Sequence, residues 1–156
     1  MLEFGKGGIM AYSALDAARY IIWNGYENMH LVSNLRLQKL LYFVQANFLV
    51  EAGKPCFDDE IEAWGLGPVV PAVYHQYKKF GSSIIQGRDW KNGGALVSDC
   101  DKPLIDEIVE YLLDYSTSQL VKITHAQSPW KNVYVPRMNN IISKQSIKKF
   151  FTEAGR

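Results

Sequence analysis

A turn rich in glycine and proline constrains this chain more than any other stretch of its sequence. Residues 60–81 read EIEAWGLGPVVPAVYHQYKKFG. Gly65 and Gly67 can adopt positive φ without a Cβ clash, while Pro68 fixes its own φ and has no N–H to donate. The chain is therefore predicted to turn sharply here, and a helix is predicted to restart at Pro71, where a proline fits the first turn.

The clearest helical pattern follows Ser33, which is placed as an N-cap. Apolar residues recur after it at helical spacing until Gly53 ends the pattern. They are Leu37, Leu40, Leu41, Val44 and Phe48. Further helices are predicted to begin at Ser13, Pro71, Asp101, Ser118 and Ser143, with a brief helical turn at Ser128 and Pro129.

Strand patterns are few. Residues 60–64 alternate weakly, and residues 95–97 form a short apolar run. The predicted fold class is therefore mainly α, a single compact helical domain of five to six helices with at most a small β-hairpin or ribbon. No repeat or linker divides the sequence, so residues 10–156 are predicted to form that domain. The glycine-rich residues 1–9 are predicted to be a flexible N-terminal extension.

The charge balance narrows the classes of partner. Lysine and arginine number 17 against 16 for aspartate and glutamate, so the chain has almost no net charge. Neither a nucleic-acid partner nor a membrane surface is predicted, because both attract strongly basic chains. No apolar run approaches the roughly 20 residues of a spanning helix, and the two cysteines stand in no ligand spacing. A cytoplasmic protein with reduced thiols is the prediction that follows.

The residues that could carry chemistry form no known catalytic pattern. His30, His75 and His125 lie far apart without a second ligand at helical spacing, so no metal or other cofactor is predicted. The acids of residues 58–62 are expected to be solvated in a loop. The glycines of the turn lack the Gly-Lys-Ser/Thr ending of a phosphate loop, and no G-x-S-x-G elbow is present. No catalytic residue is therefore predicted.

One group of residues is predicted to bind a partner. On the helix after Ser33, Arg36 and Lys39 lie off the apolar stripe with Tyr42 nearby, a mixture that suits a protein-binding patch. An ordinary solvated helix face has the same appearance. The predicted partner surface joins the exposed side of this helix to the turn and to the start of the next helix. Its residues are Arg36, Lys39, Tyr42, Gly65, Gly67, Pro68 and Tyr74.

A second group is predicted to have structural roles. Leu37 and Leu40 belong to the core stripe. Trp64 and Trp130 are predicted to be largely buried, because each lies beside chain-bending residues that need a fixed anchor. His125 is predicted to order the chain around it through a hydrogen bond.

Four motifs follow one another along the chain. They are Leu37-Gln38-Lys39-Leu40-Leu41-Tyr42, then Glu62-Ala63-Trp64 followed by Gly67-Pro68-Val69, then Tyr74, and last Thr124-His125 with Pro129-Trp130. As a set, they resemble the Panacea antitoxin domain family, which includes the phage-associated GepA-like and SocA-like proteins. The resemblance covers roughly residues 12–151.

The resemblance implies a function and a partner. It implies a mostly helical, cytosolic protein of a bacterium or prophage that neutralises a cognate toxin by binding it directly, with no enzymatic activity. The toxin is expected to be encoded by a neighbouring gene, and a homodimer is left open. Two other functions also stay open: an adaptor that delivers a bound protein to a protease, and a hydrolase or transferase that uses His125.

Overall fold

The computed structural model describes residues 11–154. These residues form seven α-helices and one three-stranded antiparallel sheet. The helices are α1 (Ala14–Glu27), α2 (Asn34–Glu51), α3 (Pro71–Tyr77), α4 (Lys102–Tyr111), α5 (Thr117–His125), α6 (Ser128–Lys131) and α7 (Lys144–Ala154). The strands are β1 (Ile61–Trp64), β2 (Gly67–Val69) and β3 (Ile141–Ile142). The mainly α fold class is confirmed, with seven helices in these residues where five to six were expected. The predicted extension, residues 1–9, lies outside the described residues.

Serine caps fix the starts of helices α1, α2 and α5. Ser13 and Ser33 cap α1 and α2 as predicted, and each hydroxyl accepts a hydrogen bond from the backbone N–H three residues further on. α5 begins earlier than the predicted start at Ser118. Its cap is Ser116, which forms a reciprocal capping box with Gln119 and so satisfies two backbone donors at once.

The sheet is small, and β1 is its central strand. β2 and β3 pair with β1 on opposite edges, both in antiparallel orientation. The strand predicted at residues 60–64 is confirmed, whereas the one at residues 95–97 is wrong, because residues 93–95 form a 3₁₀ turn against α1. A Cβ on Gly93 would lie 2.5 Å from the carbonyl oxygen of Arg19, so glycine lets this turn approach the helix closely.

α2 runs through the centre of the molecule. Helices α1, α3, α4, α5 and α7 and strand β2 all pack on it, so its polar side chains are buried along with its apolar ones. The Gln45 side chain accepts hydrogen bonds from the N–H groups of Cys56 and Phe57. The Gln38 side chain accepts one from the N–H of Val70. Because buried polar groups need such partners, α2 fixes the backbone on both sides of the Gly-Pro turn.

Two observations concern the predicted compartment. Within residues 11–154, no helix combines the length and the apolar character needed to cross a membrane. Cys56 is a buried free thiol and Cys100 an exposed one.

Candidate partner-binding site

The Gly-Pro turn is a two-residue connection between β1 and β2. Trp64 pairs with Gly67 at its base, so Gly65 and Leu66 form its tip. Both tip residues are exposed, and 57% of the Leu66 surface is accessible, whereas Gly67 and Pro68 are buried. The turn therefore presents an apolar tip to solvent on a buried base.

Gly67 occupies a position that only glycine fits. Its φ is +110°, which side chains rarely allow. A Cβ at this position would lie 2.8 Å from Oγ1 of Thr124 and 3.0 Å from Nζ of Lys39. Both of these neighbours are fully buried. Helices α2 and α5 thus pack directly beneath the turn.

Lys39 lies under the turn with its side chain fully buried. Its Nζ donates a hydrogen bond of 2.7 Å to the carbonyl oxygen of Pro68. Burial lowers the pKa of Lys39 from its ordinary value of 10.5 to about 7, because desolvation disfavours the charged amine. Lys39 is therefore a support for the turn and carries a charge that is easily lost.

The prediction that Lys39 and Tyr42 are exposed on α2 is wrong, since both are 0% exposed. The Tyr42 hydroxyl donates a hydrogen bond of 2.7 Å to Oε1 of Gln127, and its ring contacts Phe151 edge-on. Desolvation raises the pKa of Tyr42. The physical reason is that β2, α5 and α7 cover the side of α2 that the apolar stripe leaves polar. In this structure the two side chains hold the site together and are not accessible to a partner.

Arg36 is half-buried and binds backbone groups. Its guanidinium donates hydrogen bonds of 2.7 Å and 2.8 Å to the carbonyl oxygens of Leu112 and Tyr115. Partial burial lowers the pKa of Arg36. Arg36 thus fixes the end of α4 against α2, and its role in partner binding stays a prediction.

Three aromatic rings stack beside the turn. His125 lies against Trp130 with ring centroids 4.1 Å apart, and Trp130 lies against Tyr134 at 4.4 Å. Trp130 is buried, as predicted. Its indole N–H donates a hydrogen bond of 2.8 Å to the carbonyl oxygen of Trp64. The stack therefore anchors β1 to α5 and α6.

His125 is held by this stacking and not by the predicted hydrogen bond. Within the described part of the chain, its buried Nε2 has no hydrogen-bond partner. The ring packs almost parallel to Trp130, with 23° between the planes. Its position is thus set by aromatic contact.

Trp64 is half-buried, less than predicted, and forms the accessible side of the turn. Its ring packs edge-on against Tyr74 at 5.0 Å and lies 6.3 Å from His75. On the other side, the Tyr134 hydroxyl lies 3.6 Å from where a Cβ of Gly65 would be. These neighbours form one continuous patch, called the turn surface below. It consists of Trp64, Gly65, Leu66, Tyr74, His75 and Tyr134.

The sequence prediction names Gly65 and Tyr74 for partner binding and gives Trp64 a structural role. Leu66 falls within the predicted turn without being named, and His75 and Tyr134 are not named as site residues. Tyr134 follows Trp130 by four residues, a spacing that brings two side chains together on a helical segment, so a signal was present. Leu66 is an apolar residue between two glycines, and its exposure became evident only when the turn proved to have two residues.

Replacing Gly67 with Ala is expected to lower the free energy of unfolding by about 1–3 kcal/mol. The cost arises from the positive φ and from the contacts that the new methyl group makes beneath the turn. Urea unfolding measures it. Gly53→Ala is the matched control, since Gly53 has a φ of +71° and no atom within 4 Å of the point where a Cβ would lie. Equal losses in the two variants would show that close packing under the turn contributes nothing.

Comparison with known protein families places the chain that carries this turn in a class of antitoxin-like proteins. The family described as "Antitoxin SocA-like, Panacea domain" matches residues 37–131, which run from α2 to α6 and include the Gly-Pro turn. The chain belongs to this family, so the resemblance read from its motifs is confirmed.

A curated relative is similar to a large part of the chain. Antitoxin SocA of Caulobacter vibrioides (strain NA1000 / CB15N) is 39% identical to this chain over 109 residues. The aligned part covers 64% of this chain and 58% of that relative, so the chain spans less than two thirds of the relative's length. No solved structure matches the chain.

Proposed function

We propose that this protein neutralises a cognate protein toxin by binding it directly in the cytoplasm, with the turn surface as the main contact. The observation that carries the proposal is the exposed tip of the Gly-Pro turn, where Leu66 stands beside half-buried Trp64 and Tyr74. Family membership supports a toxin as the partner, because the family is described as antitoxin-like and the matched relative is itself named an antitoxin.

The chemistry of the turn surface suits binding to a protein. Tryptophan and tyrosine are enriched among the residues that dominate interface energy, and Trp64 and Tyr74 are in direct contact. The turn is also fixed from beneath, because Lys39 and Trp130 donate hydrogen bonds to the carbonyl oxygens of Pro68 and Trp64. A fixed turn loses little conformational freedom when a partner binds, and this favours affinity.

The lack of enzymatic activity is part of the same proposal. His125 is the residue on which hydrolase or transferase chemistry would depend. Its ring is stacked on Trp130, and its Nε2 is enclosed without a partner among the described residues. A general base must come within hydrogen-bond reach of the proton that it removes, and the burial of this nitrogen restricts such an approach.

Replacing Leu66 with Asp is expected to abolish toxin neutralisation and leave folding unchanged. A carboxylate at the tip would lose its hydration in the complex, and losing an interface anchor costs about 2 kcal/mol or more, equivalent to about 30-fold in Kd. The assay co-expresses each variant with the product of a neighbouring gene that arrests growth when expressed alone. Growth rescue and co-purification report binding, and thermal melting of the purified variant reports folding.

Met29→Asp is the matched control, because Met29 is an apolar residue with 90% of its surface exposed and is not part of the turn surface. Both variants should melt like the parent, and only Leu66→Asp should lose rescue. Full rescue and co-purification by Leu66→Asp would place the interface elsewhere. Rescue that depends on a cellular protease, with loss of the toxin from the cell, would instead favour the adaptor function.

A further inference from the structure

A groove lies between α4 and α7 on the surface of α2. Both helices pack along α2, and the groove between them has a volume of about 670 Å³. Apolar side chains from all three helices form its floor and walls. They are Phe43, Ala46, Val50, Ile108, Leu112 and Phe151. Phe43, Ala46 and Leu112 are already buried by the fold and form the floor.

The charged groups at the groove are acidic. Glu51 and Glu107 line it, and none of the described residues in its lining is basic. Asn47 also lines it, but its amide group donates hydrogen bonds to the Leu104 carbonyl oxygen and to Oε1 of Glu107. The exposed Glu110 adds a further negative charge on α4. The groove therefore combines an apolar floor with a negative edge on the side of α4.

Tyr111 adds an aromatic ring to this edge. Although it lines the groove, 68% of its surface is exposed. Aromatic residues that border an apolar depression are typical contact points for protein partners. The next exposed apolar residue along the chain, Leu113, does not line the groove.

We propose that this groove binds an amphipathic helix with a basic polar side, supplied by a protein partner. Such helices bind in grooves through apolar residues at i, i+3 or i+4, and i+7. A helix between α4 and α7 would pack on α2 at the usual spacing of about 8–10 Å between axes. Lysine or arginine residues beside its apolar stripe would face Glu107 and Glu110 on α4. The inference goes beyond the proposed function, since the groove and the turn surface share no residue.

A designed peptide tests the groove without knowledge of the natural partner. The probe is a fluorescein-labelled peptide of leucine and lysine, about 14 residues or four helical turns long, with leucine on one side only. Fluorescence anisotropy measures its binding to the full chain. A peptide with glutamate in place of lysine tests the charge, and a scrambled leucine–lysine peptide tests the need for an apolar stripe.

The variants locate the binding. Tyr111→Ser is expected to weaken binding of the lysine peptide about tenfold, whereas Leu113→Ser, which removes an exposed apolar side chain outside the groove, should change it less than about twofold. Glu107→Lys should reverse the preference between the two charged peptides. Equal binding of the lysine, glutamate and scrambled peptides would overturn the proposal, as would equal effects of Tyr111→Ser and Leu113→Ser. Self-association of the parent that Tyr111→Ser abolishes would show a second copy in the groove and would also overturn it.

Discussion

Replacing Trp130 with Ala is expected to lower the free energy of unfolding by about 3–5 kcal/mol. Trp130 is only 9% exposed, and its ring stacks on His125 and on Tyr134. The substitution would remove both stacks and leave the Trp64 carbonyl oxygen without its donor. Because these contacts join α5 and α6 to β1, the loss should also loosen the turn surface. Urea unfolding of the purified variant measures the change.

Trp130→Phe separates the two contributions. Phenylalanine keeps an aromatic ring between His125 and Tyr134 but has no N–H for the Trp64 carbonyl oxygen, so a loss of about 1–2 kcal/mol is expected. This variant also keeps the prediction testable if Trp130→Ala does not fold. A Trp130→Ala protein as stable as the parent would show that the stack does not stabilise the fold, and equal losses in the two variants would assign the whole effect to the hydrogen bond.

The sequence predicted the fold class because its strongest signals act locally. Ser13 and Ser33 accept hydrogen bonds from N–H groups three residues away, and Pro71 begins α3, so each determines a helix start within its own segment. Strand β3 was not predicted because its two residues are a strand only through pairing with β1. Residues 93–95 likewise take their conformation from close packing against α1, which no local pattern shows.

The candidate site was only partly predictable for a related reason. An apolar stripe on one side of α2 predicts a helix with its opposite side in water. α2 instead lies in the centre, and Lys39 and Tyr42 on that opposite side find acceptors in Pro68 and Gln127. Such acceptors belong to distant segments, so a single sequence does not reveal them. Gly65 and Tyr74 were predicted for partner binding because the turn and the helix that present them are encoded locally, whereas Trp64 was predicted only as a buried anchor.

The buried amine of Lys39 links folding to pH. Its pKa is about 7 in the folded protein, against an ordinary value of 10.5. Between these two values the unfolded chain binds more protons than the folded one, so the free energy of unfolding rises with pH across this interval. Below the pKa of Lys39 in the folded protein, this residue is protonated in both the folded and the unfolded state. Its titration then no longer changes the free energy of unfolding. Lys39 is therefore expected to make the protein less stable at neutral pH than in mild alkali.

The free energy of unfolding should increase by about 2 kcal/mol between about pH 7 and about pH 9. The upper limit is set by Cys56, because burial raises the pKa of its thiol from 9.0 to about 12 and so opposes the trend at higher pH. Burial raises the pKa of Tyr42 as well, and its effect begins higher still. Urea unfolding at a series of pH values within this window measures the increase.

Lys39→Met is the matched variant, because it keeps the length of the side chain and removes the titratable group. The Pro68 carbonyl oxygen would lose its hydrogen-bond donor, which should lower the free energy of unfolding by about 1–3 kcal/mol. The variant also no longer buries a charged amine, which acts in the opposite direction. That loss does not depend on pH, whereas the penalty for the buried charge does. The rise between pH 7 and pH 9 should therefore vanish in Lys39→Met, and a flat profile in the parent or an unchanged rise in the variant would show that Lys39 is not its source.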